Sequence, residues 1–180
     1  MNLINKKNRL NLIPFNFLLL DTATAGERQD EALALGAQHQ SFYKGDKEEN
    51  RRASPYLFEL QAGTHFSNWY FQNGWGQAWG VPVFASGNFE EVYHHFRKFL
   101  MIKTEAGERL YFRFYDPRVL RTFLPTCDAS QIIEFFGPVK IFICEDEDPG
   151  SLLVFSHYQG KLKVDKFENT LRQLASNSNI

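Results

Sequence analysis

The sequence predicts an α/β fold with a mixed, mostly parallel central sheet that is layered with helices and has an antiparallel edge near the C-terminus. Three observations lead to this class. Short apolar segments of strand length alternate with segments whose apolar residues recur at helical spacing. Residues 109–115 are apolar or aromatic at nearly every position, as expected of a central strand covered on both faces. Two apolar segments near the C-terminus flank Gln159 and Gly160, a pattern typical of a hairpin.

The first half of the chain is predicted to hold three strands and two helices. Gly36 ends the first helix, because glycine readily adopts the positive φ found after helix C-termini. Charged residues around Gly45 indicate a loop over residues 43–54, and Pro55 opens the next strand. The strands cover residues 15–20, 56–60 and 81–85, and the helices cover residues 26–35 and 65–73.

Helix caps organise the second half. Asn88 and Asp128 are each followed three residues later by Glu91 or Gln131, which predicts two capping boxes. The first of these helices is expected to reach residue 102, and a turn follows at residues 106–108. The other elements are strands over residues 109–115, 139–144, 152–157 and 161–164, helices over residues 117–124, 129–136 and 167–175, and a loose tail over residues 176–180.

Composition and charge restrict the function. The chain has 180 residues, of which 43% are hydrophobic and 23% charged, which indicates a globular protein with a single domain or one domain with a small appendage. Its net charge is −1 and its cations form no stripe, so no nucleic-acid partner is expected. No apolar run approaches the roughly 20 residues of a membrane span. Cys127 and Cys144 lie far apart without metal spacing, which indicates buried free thiols in a reducing cytoplasm.

The N-terminal region allows two interpretations. Three cations precede an apolar segment over residues 10–20, and Ala-Thr-Ala follows at residues 23–25, which is the outline of a secretory signal peptide. However, Asn11, Pro14 and Asn16 interrupt the apolar segment and Asp21 ends it. These interruptions favour a flexible start over residues 1–12 followed by a first buried strand.

Two clusters of potential metal ligands lack the spacing that a metal site needs. His94 and His95 are consecutive on a helix, so their side chains diverge, and neither has a ligand four residues later. A solvated helix face is the favoured interpretation. Residues 145–148 are all acidic but lack the alternating spacing of a calcium loop, which favours a solvated turn. No nucleophile elbow or phosphate loop is present. The sequence therefore predicts no catalytic residue, no metal and no cofactor.

Three tryptophans lie close together, with glycines between them. Trp69, Trp75 and Trp79 fit core packing around a kinked connection, which is the favoured interpretation. The alternative is a platform for a partner, because tryptophan is enriched at binding hot spots. Together with Phe136, they are the candidate partner-binding residues.

The end of the segment over residues 109–115 carries the strongest polar signal. Arg113 lies between two phenylalanines, so its guanidinium should be partly desolvated and should require a carboxylate. Asp116 is expected to cap the next helix by accepting the Val119 N–H, with Pro117 at the first helical position. Its spare lone pairs would suit Arg113 or Arg118. The residues favour a structural lock over an anion site, because Asp116 would repel an anion.

The sequence Phe-Arg-Phe-Tyr-Asp-Pro-Arg at residues 112–118 resembles the hallmark motif of the type VI secretion effector chaperones, also called type VI adaptor proteins. The resemblance spans roughly residues 13–145. Further similarities occur in the order of the family, at Leu19-Leu20-Asp21, Ser54-Pro55-Tyr56-Leu57, Trp75-Gly76, Trp79-Gly80, Ser86, His95-Phe96-Arg97 and Phe135-Phe136-Gly137-Pro138-Val139.

The resemblance implies a non-enzymatic, cytoplasmic adaptor that binds a cognate effector and helps load it onto the VgrG spike. It implies an adaptor domain over residues 13–145, and the residue patterns beyond it predict a C-terminal hairpin and helix extension over residues 146–180. No membrane and no small-molecule substrate are expected. A small hydrolase or transferase using Asp116 and Arg118, and a periplasmic immunity-type binding protein, remain as alternatives. The motif positions are Arg113, Asp116, Pro117, Arg118, Gly137 and Pro138.

Overall fold

The computed structural model describes residues 14–45, 54–103 and 107–171, which form nine strands and six α-helices. The strands are β1 (Phe17–Leu20), β2 (His39–Ser41), β3 (Tyr56–Glu59), β4 (Gly80–Ala85), β5 (Met101–Lys103), β6 (Arg109–Tyr111), β7 (Val139–Glu145), β8 (Ser151–Tyr158) and β9 (Lys161–Glu168). The α-helices are α1 (Thr22–Ala25), α2 (Gln29–Ala34), α3 (His65–Asn73), α4 (Phe89–Arg97), α5 (Pro117–Phe123) and α6 (Ala129–Phe136).

Seven strands form one sheet in the order β2-β3-β1-β4-β7-β8-β9, and every neighbouring pair is antiparallel. The predicted α/β class with a mostly parallel sheet is therefore wrong. Alternating strand and helix patterns predict the type of each segment. They do not predict at which end of the sheet the next strand begins, and so they leave open whether neighbouring strands are parallel or antiparallel. Here the connections return the chain in the opposite direction, which gives an α+β arrangement.

The C-terminal hairpin lies at an edge of this sheet. β8 and β9 pair from Ser151 and Glu168 to Tyr158 and Lys161. The two turn residues, Gln159 and Gly160, have φ of 50° and 78°, as a tight hairpin turn requires. β8 pairs with β7, so the predicted extension continues the main sheet. The division of the chain at residue 145 stays a prediction.

Helices cover both faces of the sheet. Side chains alternate along β1, so that Leu18 and Leu20 face one apolar cluster while Phe17 and Leu19 face the other. The first cluster includes residues of α1, α2 and α3, and the second includes residues of α4, α5 and α6. Leu18, Leu19 and Leu20 are fully buried, because β1 lies near the centre of the sheet.

The predicted central strand over residues 109–115 is wrong. Only Arg109–Tyr111 is a strand, and β6 pairs with β5 in a separate two-stranded sheet. The predicted long helix ends at Arg97 rather than near residue 102, and β5 follows it. The many aromatic residues of this segment pack on helices: the Phe112 ring is tilted against Phe135 of α6 and the Phe114 ring meets Phe135 edge-on, with centroid distances of 6.3 and 5.9 Å.

Most other elements match the prediction closely. The α3 and α6 bounds are as predicted, and both capping boxes form. The first helix begins earlier than predicted, with α1 and α2 joined by a 3-10 turn, and β2 was not predicted. The final helix does not begin at Phe167 as predicted, because β9 extends to Glu168, whereas Leu171 is helical. The predictions for residues 1–12, 46–53, 106 and 172–180 lie outside the described residues.

Cys127 and Cys144 are free thiols, as predicted; Cys144 is buried as expected, whereas Cys127 is only half-buried. Across the described ranges, no helix has both the length and the apolar character needed to span a membrane.

Candidate functional site

Two buried aspartates each begin a helix beside Arg113. Asp21 follows β1 directly and caps α1, accepting hydrogen bonds from the Ala23 N–H at 3.1 Å and the Thr24 N–H at 3.3 Å. Asp116 caps α5 by accepting the Arg118 N–H at 2.9 Å, rather than the Val119 N–H that the sequence predicts. The two residues are 1% and 2% exposed, so each carboxylate needs partners within the protein.

Two arginines supply those partners. Arg113 Nη2 lies 2.5 Å from Asp21 Oδ2 and 3.5 Å from Asp116 Oδ2. Arg118 forms a two-pronged bond with Asp116, with Nε–Oδ1 and Nη2–Oδ2 distances of 2.9 and 2.7 Å. We refer to Asp21, Arg113, Asp116 and Arg118 as the arginine–aspartate network. It joins the N-termini of α1 and α5, which belong to opposite layers of the fold.

The electrostatics follow from this geometry. Burial would raise the pKa of Asp116, but hydrogen bonds from the Arg118 guanidinium and backbone N–H, together with the charges of Arg118 and Arg113, outweigh it and leave the pKa lowered. The hydrogen bond to Asp21 raises the pKa of Arg113. Burial raises the pKa of the neighbouring Tyr115 to about 12, so its phenol stays protonated at neutral pH. The network therefore carries fixed, mutually compensating charges.

This arrangement is that of a structural clamp. Arg113 borders one surface cleft and Arg118 borders another, yet neither cleft is lined by Asp21 or Asp116. The carboxylates accept hydrogen bonds from the arginines and the helix N-termini instead of facing these clefts. Sequence reasoning placed Arg113, Asp116 and Arg118 together but missed Asp21, which is distant in the chain. The available signal was its position at the abrupt end of a buried strand.

Gly137 and Pro138 lie at a second tight contact. Gly137 ends α6 with φ 50° and ψ −115°, and a Cβ there would lie 2.3 Å from His95 Cε1. His95 is 8% exposed, and its Nε2–H donates to the Phe135 carbonyl at 2.8 Å. The Pro138 carbonyl accepts the Ser86 N–H at 3.0 Å. These bonds fix the end of α6 against α4 and β4.

The prediction of a solvated helix face holds for one of the two histidines. The His94 side chain is 64% exposed, and its Nε2 lies 3.8 Å from Glu90 Oε2. His95 is buried, so the prediction is wrong for His95. The reason is that consecutive helix residues point in different directions, and the apolar stripe of α4 is wide enough to take His95 inside.

The buried His95 imidazole should make the protein less stable at acidic pH. Burial lowers the pKa of His95 from its usual 6.5, so the unfolded chain binds the proton more readily than the folded chain. The contribution of His95 to stability is therefore complete above pH 6.5 and is lost as the pH falls from there through the lowered folded pKa. Urea unfolding of wild type and His95→Gln at several pH values checks this. The variant should lose less stability between pH 7 and pH 5, and equal losses would contradict the assignment.

The candidate partner-binding side chains lie mostly inside the protein. Trp75 and Phe136 are fully buried and Trp79 is 9% exposed, so none of them presents a surface in this conformation. Trp75 Nε1–H donates to Asn169 Oδ1 at 2.7 Å. Trp69 is half-buried, and its Nε1–H donates to Glu31 Oε2 at 2.9 Å. Only Trp69 retains an accessible edge.

The acidic segment is also more structural than predicted. Glu145 is the last residue of β7 and is 9% exposed, accepting the Gly76 and Ala78 N–H groups at 2.8 and 3.0 Å. It therefore holds the connection that carries Trp75 and Trp79, and the prediction of a solvated turn is wrong for Glu145. Within the described ranges, no group of three or more His, Cys, Asp or Glu residues is placed to hold a metal ion.

Sequence reasoning missed the exposed apolar surface. β5 and β6, here called the ribbon, project Met101, Ile102, Leu110 and Tyr111 with exposed fractions of 43, 42, 47 and 71%. The available signal was the predicted turn at residues 106–108 between two short apolar segments, which is typical of a hairpin.

The fold and these surfaces define a three-layer α+β protein with an internally neutralised charge network and an exposed apolar ribbon. A family model described as "Domain of unknown function (DUF4123)" matches residues 16–134. The chain belongs to this family, whose matched region includes all four residues of the network. No curated protein and no solved structure matches the chain.

Proposed function

We propose that the chain is a non-enzymatic, cytoplasmic adaptor that binds a type VI secretion effector and helps load it onto the VgrG spike. The motif at residues 112–118 carries the proposal, because it resembles the hallmark of the effector chaperones and lies inside the matched family region. The proposed partners are protein surfaces, with no small molecule, cofactor or nucleic acid required.

The geometry of the motif favours a structural role for its charged residues over a catalytic one. Asp116 accepts three hydrogen bonds from Arg118 and an ion-pair contact from Arg113. A general base or nucleophile would need a lone pair directed toward a substrate. The same residues hold the N-termini of α1 and α5, which suits a motif that maintains the shape of a binding protein.

Replacing Arg118 by alanine separates this role from the enzymatic alternative. The side chain of Arg118 is 56% exposed, so solvent screens its ion pair, and we expect a loss of about 1 kcal/mol in unfolding free energy. Urea denaturation measures the loss, with Arg109→Ala on the exposed strand β6 as the control. An Arg118→Ala protein as stable as this control would argue against the structural role.

Co-expression with any effector and VgrG proteins that are encoded beside the gene tests the adaptor function. We expect the tagged chain to elute from size-exclusion chromatography together with the effector, and this complex to persist at high salt because exposed apolar surface contributes to it. Recovery of the chain free of both proteins at every salt concentration would overturn the proposal. An unrelated effector from the same host serves as the negative control.

A further inference from the structure

The ribbon exposes apolar side chains on both of its faces. Met101 pairs with Tyr111, and Ile102 pairs with Leu110, so the two pairs point to opposite sides. All four side chains are exposed, one pair on each face of a small sheet that is separate from the main one. Exposed apolar side chains grouped on one small element are typical of a site of interaction.

One face of the ribbon forms a wall of a cleft of about 520 Å³, a size typical of binding pockets. Met101 and Tyr111 line it on the ribbon side, and Phe42, Pro55 and Leu100 contribute further apolar surface. A small side chain or a short stretch of extended backbone would fit such a space. The other face of the ribbon places Ile102 beside a second apolar groove of about 260 Å³.

The charge of the cleft is one-sided. Lys44, Arg97 and Arg113 line it, and its described lining includes no carboxylate. The charge of Arg113 is compensated by Asp21 and Asp116 behind it. Among the described residues, no ion pair joins Lys44 or Arg97 to a carboxylate, and both cations border the cleft. Cations beside aromatic surface favour carboxylates flanked by apolar side chains.

We propose that the cleft and the ribbon bind an extended segment of a partner protein in which acidic residues lie next to aromatic or aliphatic ones. This inference rests on the proposed adaptor function and names the surface and the chemistry of the partner. Carboxylates of the segment contact Arg97 and Lys44, and its apolar side chains pack on Met101 and Tyr111. β5 and β6 each have one edge without a neighbouring strand among the described residues, which leaves backbone groups for an added strand.

Three short fluorescein-labelled peptides test the chemistry by fluorescence anisotropy. The first alternates Asp and Glu with Phe and Leu, the second carries Asn and Gln in place of the acids, and the third carries Lys. We expect the acidic peptide to bind, the amide peptide to bind roughly tenfold more weakly, and the lysine peptide not to bind. Added salt should weaken binding of the acidic peptide. Equal affinity for the acidic and amide peptides, or no binding of the acidic peptide, would overturn the proposal.

Matched variants test the surface. Tyr111→Asp and Arg97→Glu should each lower the affinity for the acidic peptide by roughly tenfold or more. Tyr158→Asp, at a tyrosine 76% exposed on β8, and Lys98→Glu, at an exposed neighbour of Arg97, should bind as wild type does. Melting temperatures of all four variants check that each is folded. If both cleft variants bind the acidic peptide as wild type does, the cleft and the ribbon are not its binding surface.

Other occupants of the cleft give distinct results. A dimer in analytical ultracentrifugation that Tyr111→Asp abolishes would show a second copy there, and would overturn the proposal. Binding that appears only after neutralising Asp46, Glu48 and Glu49 would identify an acidic segment of the chain itself as the occupant, with the same consequence.

The co-expression experiment separates this inference from the adaptor function. If the effector binds wild type and Tyr111→Asp alike, the adaptor function stands and this surface is wrong. If neither the effector nor the spike binds wild type, the adaptor function is wrong, even if the acidic peptide binds the cleft.

Discussion

Replacing Arg113 by alanine should lower the unfolding free energy by about 2–3 kcal/mol, which is at or below the lower limit of the roughly 3–5 kcal/mol for breaking a fully buried ion pair. The loss arises because Arg113 contacts two carboxylates, Asp21 and Asp116, whose side chains are 2 and 3% exposed. Removing the guanidinium leaves Asp21 without its cationic partner and Asp116 with only Arg118. The side chain of Arg113 is itself 45% exposed, so water compensates part of the loss.

Urea denaturation at neutral pH measures this effect, and two further variants define its origin. Arg113→Lys keeps the charge but not the planar fork, so its stability should lie between those of wild type and Arg113→Ala. Arg109→Ala removes an exposed arginine from β6 and should change little. A loss for Arg113→Ala no larger than that for Arg109→Ala would contradict the clamp described above.

Replacing Gly137 by alanine should cost about 3 kcal/mol. The backbone there has φ 50° and ψ −115°, and holding a non-glycine residue in such a conformation costs about 1–3 kcal/mol. In addition, the new Cβ would lie 2.3 Å from His95 Cε1, so the imidazole or the end of α6 must shift.

Two controls separate backbone strain from the contact with His95. Gly63 also has a positive φ, 79°, but a Cβ there meets nothing within 4 Å, so Gly63→Ala should show strain alone. The double variant Gly137→Ala/His95→Ala should be more stable than the sum of the two single losses predicts, because the contact is removed. Additive losses in thermal or urea unfolding would show that His95 does not restrict Gly137.

Local signals in the sequence predicted much of this structure. The two capping boxes, the bounds of α3 and α6 and the C-terminal hairpin follow from short-range chemistry that a single sequence displays. Strand direction does not, because it depends on where each connection re-enters the sheet. The aromatic run at residues 112–114 predicted the burial of Phe114 correctly but assigned it to the sheet, although Phe114 packs on helix residues such as Phe96. Phe112 is only half-buried and Arg113 is exposed.

The same holds for the candidate site: contacts between residues close in sequence were predictable, and contacts between residues far apart in sequence were not. Asp116 and Arg118 are two residues apart, and their pairing was predictable from the helix cap. The partner of Arg113 is Asp21, 92 residues away, and no periodicity or spacing links the two. The binding surface was missed for a related reason, since Tyr111 was assigned to a covered central strand and is 71% exposed.

The arginine–aspartate network and the ribbon should contribute separately to stability and to binding. The most direct test measures both quantities, by urea unfolding and by titration with the co-expressed effector, for Arg118→Ala and Tyr111→Asp. Arg118→Ala should lose about 1 kcal/mol of stability while its Kd stays close to that of wild type. Tyr111→Asp should keep its stability while its Kd rises roughly tenfold or more. Loss of effector binding by folded Arg118→Ala, with Tyr111→Asp binding normally, would show that the network itself is the binding site.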